Sequence, residues 1–323
     1  MACMTRLLLL IALALVSTVS AGQDFPARPV RFIVGFGPGG PTDVIARLVA
    51  HDLGAATGQA FLVENKPGAN AIIATEYVAH SQPDGYTLLF SSLSLLVNKI
   101  LLQDRVKYDP FRDFAPVSNV ALLPMVVVTS PETKLASMQD LIALAKAKPG
   151  EVSYGTSGHA GSSHLAGAML EDATGTKMIN VPFKGNGPAL TEVMAGHVTF
   201  MFYPIVGIAQ QAGQHRLKVL AVATRERHPD FPGVPTMDEM GLHGFDATAP
   251  WVGVLAPAGT PPAIVSRLSA EIRKSLARPE TQAQMKQLGA ELVGDDPAEF
   301  GAFLKVDNER WASVIRKSGV TAE

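Results

Sequence analysis

Apolar residues recur along this chain in two alternating periods. VRFIVGF (30–36) is a continuous run rich in β-branched and aromatic residues, which predicts a buried strand. At Thr42–Leu53 the apolar positions become Val44, Ile45, Leu48 and Val49, the spacing of one helix face. FLVEN (61–65) predicts the next strand, KPGAN turns the chain, and a helix follows around Ile72–His80. TLLFSS (87–92), after the turn residues DGY, is a third strand. Parallel neighbours need crossover connections, so this β-α-β-α-β order predicts a parallel sheet with helices on both faces.

The pattern then shifts. KYDPFRDFAPVSNVA (107–121) is broken by prolines and reads as irregular chain. PMVVVTS (124–130) restarts the alternation, followed by a helix over Ser137–Ala147, a strand VSYGTS (152–157), a helix over Ser163–Thr174 and a strand MINVPF (178–183). A helix over Pro188–Ala195 and the strands VTFMFY (198–203) and LKVLAVAT (217–224) complete the second series. WVGVLAP (251–257) reads as a crossing strand and leads to a helix over Ile264–Leu276, signalled by Pro261–Pro262. Two helices, about Pro279–Leu288 and Pro297–Ser318, end the chain. The pattern is α/β in two lobes joined near 115–125 and 245–252. The return at Trp251 makes lobe one discontinuous, with expected bounds of 22–122 and 248–295, and leaves 123–247 and 296–323 to lobe two. Hinged lobes of this kind suit a ligand enclosed in a cleft.

The first residues change the picture. MACMTR carries one Arg, LLLLIALALV is a short apolar run, and Val19 and Ala21 fit the −3 and −1 positions of a leader-cleavage site. Residues 1–21 therefore read as a secretory signal peptide, too short to span a bilayer, and the mature chain from about Gly22 as exported. The one cysteine, Cys3, precedes the apolar run, so the mature chain has no disulfide, no thiol nucleophile and no lipid-anchor cysteine. Hydrophobic residues are 47% of the 323 positions, enough for an ordinary core. A net charge of −2, from 27 basic and 29 acidic residues without a basic run, removes the electrostatic basis for binding nucleic acid or acidic membranes.

In an α/β lobe, ligands lie beyond the carboxyl ends of the strands. At that edge lobe one offers GFGPGGPTD (35–43) and SSLS (91–94); lobe two offers GTSGHAGSSH (155–164), FKGNGPA (183–189) and FYPIVG (202–207). Glycines admit close approach, and first-turn N–H groups at the positive end of a helix dipole favour a negative oxygen. Two such seats facing each other suit a molecule with a carboxylate at each end. The candidates in lobe one are Phe36, Pro38, Gly39, Gly40, Thr42 and Asp43, with Ser91 and Ser92. In lobe two they are Thr156, Ser157, Ser162, Ser163, Lys184, Gly185, Asn186 and Tyr203. Asp43 either favours its helix dipole or bonds a water or ligand donor at the rim. Lys184 either neutralises a carboxylate or is a surface lysine. Phe36 and Tyr203 either flank the ligand's carbon body or seal the core.

Gly35, Gly37 and Gly40 also satisfy G-x-G-x-x-G, and Glu64 stands where a ribose-binding acid belongs. Pro38 removes a donor from that loop, export separates the chain from the nicotinamide pool, and lobe two repeats the glycine cup instead of presenting an acid–base pair. GTSGHAG is not the G-x-S-x-G elbow, because His159 takes the last glycine's place. His159 and His164 are five apart, on different helix faces, and no H-E-x-x-H or cysteine cluster exists. No catalytic residue, cofactor or metal is expected.

The whole mature chain resembles the extracytoplasmic solute receptors of the Bug family (TctC-like), the binding component of tripartite tricarboxylate transporters. The resemblance runs through PARPVRFIVGFGPGGPTDVIAR (26–47), VENKPGANAIIA (63–74), QPDGYTLLFSS (82–92) and YDPFRDFAPVS (108–118). It continues in YGTSGHAGSSHLAG (154–167), VPFKGNGPALTEVMAGHV (181–198), LKVLAVATRERHPDFPGVPTMDEMG (217–241) and WVGVLAPAGTPPAIVSRL (251–268). It implies a two-lobed periplasmic-binding-protein fold of the Venus-flytrap, type II-like kind. The implied role is capture of a small carboxylate, as a monomer, for membrane permease subunits, without chemistry or membrane insertion. It also implies that Gly37–Asp43, Thr156–Ser163 and Lys184–Gly187 form the pocket, with backbone amides and ordered waters on one carboxylate. Tyr203 and Thr199 stand where the family often has aspartates, and Ala71 where a glycine usually follows GAN. Di- and tricarboxylates and aromatic carboxylates are the implied ligands. A sensory receptor of the same fold and a secreted dinucleotide-dependent oxidoreductase are the alternatives.

Overall fold

The computed structural model describes residues 25–158 and 161–318. The expected leader, with Cys3, and His159 lie outside the described residues. Among the described residues no helix is long and apolar enough to cross a membrane.

The first lobe runs β1 (Val30–Val34), α1 (Pro41–Thr57), β2 (Phe61–Asn65), α2 (Ile72–Ala79), β3 (Thr87–Ser92), α3 (Ser94–Leu102) and β4 (Phe114–Leu122). The second opens with β5 (Met125–Thr129), α4 (Met138–Ala147), β6 (Ser153–Thr156), α5 (Ser162–Thr174) and β7 (Ile179–Pro182). It continues through α6 (Asn186–Met194), β8 (Phe200–Pro204), α7 (Ile208–Gly213) and β9 (Lys218–Val222). The chain returns to the first lobe as β10 (Trp251–Pro257), α8 (Pro262–Leu276), α9 (Pro279–Gln287) and β11 (Glu291–Leu292), and ends in α10 (Pro297–Ser318).

Six strands form the first sheet in the order β11-β4-β10-β3-β1-β2, and five form the second as β7-β6-β8-β5-β9. The helix-connected strands are parallel: β1 with β2 and β3, and β6 with β7 and β8. The antiparallel members β4, β5 and β10 are the strands on which the chain changes lobe. Those crossings are bonded to their surroundings. Leu123 N–H donates to the Pro250 carbonyl at 2.9 Å, and Ile205 N–H to that of Pro124 at 2.8 Å.

Period-two alternation sends side chains to opposite faces of each sheet. On β1, Phe32 and Val34 pack with Ile45, Val49 and Leu268 under α1 and α8, whereas Ile33 packs with Val78, Leu95 and Phe300 under α2, α3 and α10. On β8, Phe200 and Phe202 join Leu141 and Leu170, whereas Met201 and Tyr203 join Val193 and Ile208. Each such side chain contributes about 1.5–3 kcal/mol on full burial, before the entropy of ordering it.

Two expectations change. Part of the segment read as irregular is β4, paired on both sides by β10 and β11. Its Pro116 faces Leu255, beside a register shift between Val254 and Leu255, the kind of irregularity where a residue without an N–H is tolerated. The C-terminal helix, expected with lobe two, buries Phe300 and Leu304 among Ile33, Leu95 and Trp251 of lobe one. Only its later turns reach across, where Trp311 and Ile315 meet Leu93 and Val97 on one side and Leu165 of α5 on the other. A helix of 22 residues is long enough to serve both lobes. Trp251 Nε1–H donates to buried Asp307 at 3.0 Å, pinning the helix to β10.

Candidate functional site

Four helices begin at the gap between the lobes, two from each. In lobe one α1 starts after Gly40, with Pro41 in its first turn, and α3 starts after Leu93. In lobe two α5 follows Gly161 and α6 follows Gly185. None of these starts carries a side-chain cap, whereas the Ser137 hydroxyl caps α4 by accepting from Asp140 N–H at 3.1 Å. First-turn amides have no acceptor within their own helix, and the dipole gives that end positive potential.

A space of about 20 Å³, room for about one water, lies among these starts. Phe36, Thr42, Ser92 and Ser94 line it from lobe one, and Ser157, Ser162 and Asn186 from lobe two; Leu123 and Pro250 beside the lobe crossings and Pro204 at the end of β8 also line it. A cavity of about 530 Å³ adjoins it and shares Phe36, Asn70 and Ser157. Its walls are Ile72, Leu101, Leu102 and Phe183, with Asn98, Glu76 and the exposed cations Arg105, Lys107 and Lys184. The glycine loops of the two lobes touch beside it. A Cβ on Gly185 would stand 3.6 Å from Gly37 N, and one on Gly37 3.7 Å from the Lys184 carbonyl.

Six of the residues singled out from the sequence therefore share the inner space: Phe36, Thr42, Ser92, Ser157, Ser162 and Asn186. Lys184 lines the larger cavity only. The others have different places. Gly40 and Gly185 are helix N-caps, while Pro38 and Gly39 are exposed on the loop and line neither cavity. Ser91 is buried in β3 outside both linings. The Thr156 hydroxyl donates to Asn180 Oδ1 at 2.8 Å, tying β6 to β7. Ser163, fully buried, donates to Asn186 Oδ1 at 3.2 Å and so holds a lining residue in place.

Asp43 and Tyr203 need correction as ligand contacts. The Asp43 carboxylate is 2% exposed and lines neither cavity. It accepts from Gly39 N–H at 2.9 Å and Arg47 Nε at 2.9 Å through one oxygen, and from Asn65 Nδ2 at 2.8 Å through the other. Burial works to raise its pKa, but the bonds from Arg47, Gly39 and Asn65 together hold it below the ordinary aspartate range. Asp43 is thus the clamp of the β1–α1 loop. Tyr203 alternates with Phe202 on β8 and falls on the face packed under α6 and α7, among Met201, Val193 and Ile208. Burial raises its hydroxyl pKa. Tyr203 therefore does not face Phe36 across the gap; the lobe-two ring that lines a cavity with Phe36 is Phe183.

Glu64, the acid required by the dinucleotide reading, is paired instead with Lys66 at 2.7 Å and Arg31 at 3.2 Å. Among the described residues no group of three His, Cys, Asp or Glu could hold a metal ion. Sequence reasoning missed Asn70 and Asn98, and within SSLS (91–94) it named Ser91 and Ser92 but not Ser94, which lines the inner space. The signal for Asn70 lay in KPGAN, a turn at the same sheet edge as the glycine loop.

A family model for the tripartite tricarboxylate transporter family receptor matches residues 45–320. Protein BugT of Bordetella pertussis is 37% identical over 321 residues, which cover 98% of each chain. Among solved structures, the periplasmic binding protein BugD gives a TM-score of 0.88 at 34% identity, covering 93% of this chain and all of its own. Rpa4515 of R. palustris, solved with adipate, gives 0.89 at 32% identity, covering 92% of this chain and 99% of its own.

Proposed function

The chain belongs to the tripartite tricarboxylate transporter family of receptors, solute-binding proteins and not enzymes, and on that premise we propose that it carries a small dicarboxylate in the periplasm to a membrane permease. The observation that supports this most is the meeting of four uncapped helix starts, two from each lobe, at one space lined by hydroxyls. A carboxylate oxygen in that one-water space takes hydrogen bonds from amides of both lobes, so its binding free energy favours the closed arrangement. Exclusion of water strengthens each of those charge-assisted bonds. The adjoining cavity, with apolar walls and Arg105, Lys107 and Lys184, suits the carbon chain and second acid group. Adipate in the related R. palustris protein is a ligand of that shape. An aromatic clamp between Phe36 and Tyr203 forms no part of the proposal, since Tyr203 lies in the lobe-two core.

Thermal melting of the purified protein against a panel of di- and tricarboxylates tests this reading. A true ligand at a hundred times its Kd adds about 2.7 kcal/mol of stability. A folded protein that no acid of the panel stabilises would refute carboxylate capture.

A further inference from the structure

We infer that Asn70 is a specificity-determining acceptor that selects carboxylates bearing a hydrogen-bond donor, hydroxyl or ammonium, on the carbon beside the held carboxylate. The inference rests on the reading of the gap as a carboxylate site. Asn70 lines both cavities, so the residue stands where the inner seat and the larger space meet.

The turn that presents it is strained. Ala69, Asn70 and Ala71 have φ of 47°, 48° and 71°, three successive non-glycine residues in the left-handed region, where only asparagine among them is at ease. Such outliers persist only when the surroundings over-determine them, and they gather at ligand sites. Here two features hold the turn. Ala71 seats against Gly35, where a Cβ would come within 2.2 Å of the Ala71 Cβ. Buried Asn98 grips Asn70 twice: its Nδ2 donates to the Asn70 carbonyl at 2.8 Å, and its Oδ1 accepts from Asn70 Nδ2 at 3.0 Å.

That double grip fixes which way both amides point. The Asn70 carbonyl can only accept, so Asn98 must turn its nitrogen to it and its oxygen to the Asn70 side chain. Asn70 must answer with nitrogen. Its Oδ1 is thereby left over, buried and without a hydrogen-bond partner among the described residues. It faces the lobe-two glycine loop, where a Cβ on Gly161 would lie 3.7 Å away and one on Gly158 3.8 Å. A buried acceptor left unpaired is costly, and a ligand that brings a donor recovers the loss, while one that brings only C–H there does not.

Glutarate, 2-hydroxyglutarate and glutamate differ only in H, OH or NH3⁺ at one carbon. By calorimetry the wild-type protein is expected to bind at least one of the two donor-bearing acids about tenfold more tightly than glutarate. Which of the two gains identifies the donor. In Asn70→Gly, which relieves the left-handed strain, that preference is expected to vanish. The variant also leaves buried Asn98 Oδ1 without its donor, so affinity for all three acids and Tm are expected to fall together, and the readout is the ratio of the affinities, which drops to about one. Equal binding of all three by the wild type, or a preference that survives in Asn70→Gly, overturns the role of Asn70 and leaves carboxylate capture standing. Binding of none of the three by folded protein overturns both.

Discussion

Replacing Asp43 with alanine removes three acceptor contacts at once, and their surroundings set the cost. Arg47 is half exposed and keeps a bond to Asn65 Oδ1 at 3.0 Å, so its ion pair with Asp43 is worth at most about 1 kcal/mol after solvent screening. Gly39 is exposed, and its N–H turns to water. Asn65 Nδ2 keeps the Phe36 carbonyl at 2.9 Å but loses its charged partner, about 1 kcal/mol more. Loss of an acid from the first turn of α1 adds a few tenths. The total is about 2 kcal/mol, a fall in Tm of about 4–8 °C for domains of 150–250 residues and less for this longer chain. Asp43 touches neither cavity, so ligand affinity falls only by the share of that energy that closure draws on, at most about thirtyfold. Acidity gives an independent check. The folded pKa lies below the unfolded one, so the stabilisation is fully present above about pH 4 and is lost as pH falls through the lower folded value. Urea melts of both proteins from pH 7 to pH 3 should therefore diverge at neutral pH and converge in acid. A variant with the same melting midpoint and the same acid limb as wild type would refute the clamp.

Gly185→Ala places a side chain at φ 125°, a conformation L residues rarely adopt, 3.6 Å from the facing Gly37 amide. A loss of about 1–3 kcal/mol in thermal melts, with weaker ligand binding, is expected. Trp311→Ala empties the contact between α3, α5 and α10, and urea unfolding should show a loss of about 3–5 kcal/mol.

Most strands were plain in the sequence, because short apolar runs bounded by turn residues alternate with stretches of helical period. FLVEN, TLLFSS and WVGVLAP are the strands Phe61–Asn65, Thr87–Ser92 and Trp251–Pro257 to the residue. β4 was hidden because Pro116 breaks its local signal, and only the partner strand β10 shows why a proline fits there. α3 was hidden because SLLVNKILL is short and mostly apolar, with no clear polar stripe to mark a helical period, as suits a helix packed against β3 and the C-terminal helix. At the site, composition pointed to the glycine and serine loops, and the helix starts gather there. Whether a polar side chain faces the gap or the loop behind it depends on tertiary partners. Asp43 turned inward to Asn65 and Arg47, whereas Asn70, read only as part of a turn, faces the other lobe. The aromatic at 203 misled for a simpler reason: both faces of β8 are covered, Phe202 in one core cluster and Tyr203 in the other, and only Pro204 at the strand's end lines the inner space.

The final helix also bears on how the molecule moves. Being rooted in one half and resting on the other, it denies the halves a frictionless swing. Any change in the angle between them drags Leu165 across Trp311 and Ile315. Side chains meshed at interior density settle into separate notches instead of sliding smoothly. Packing of this kind is expected to let the two halves change angle in steps and not by smooth sliding.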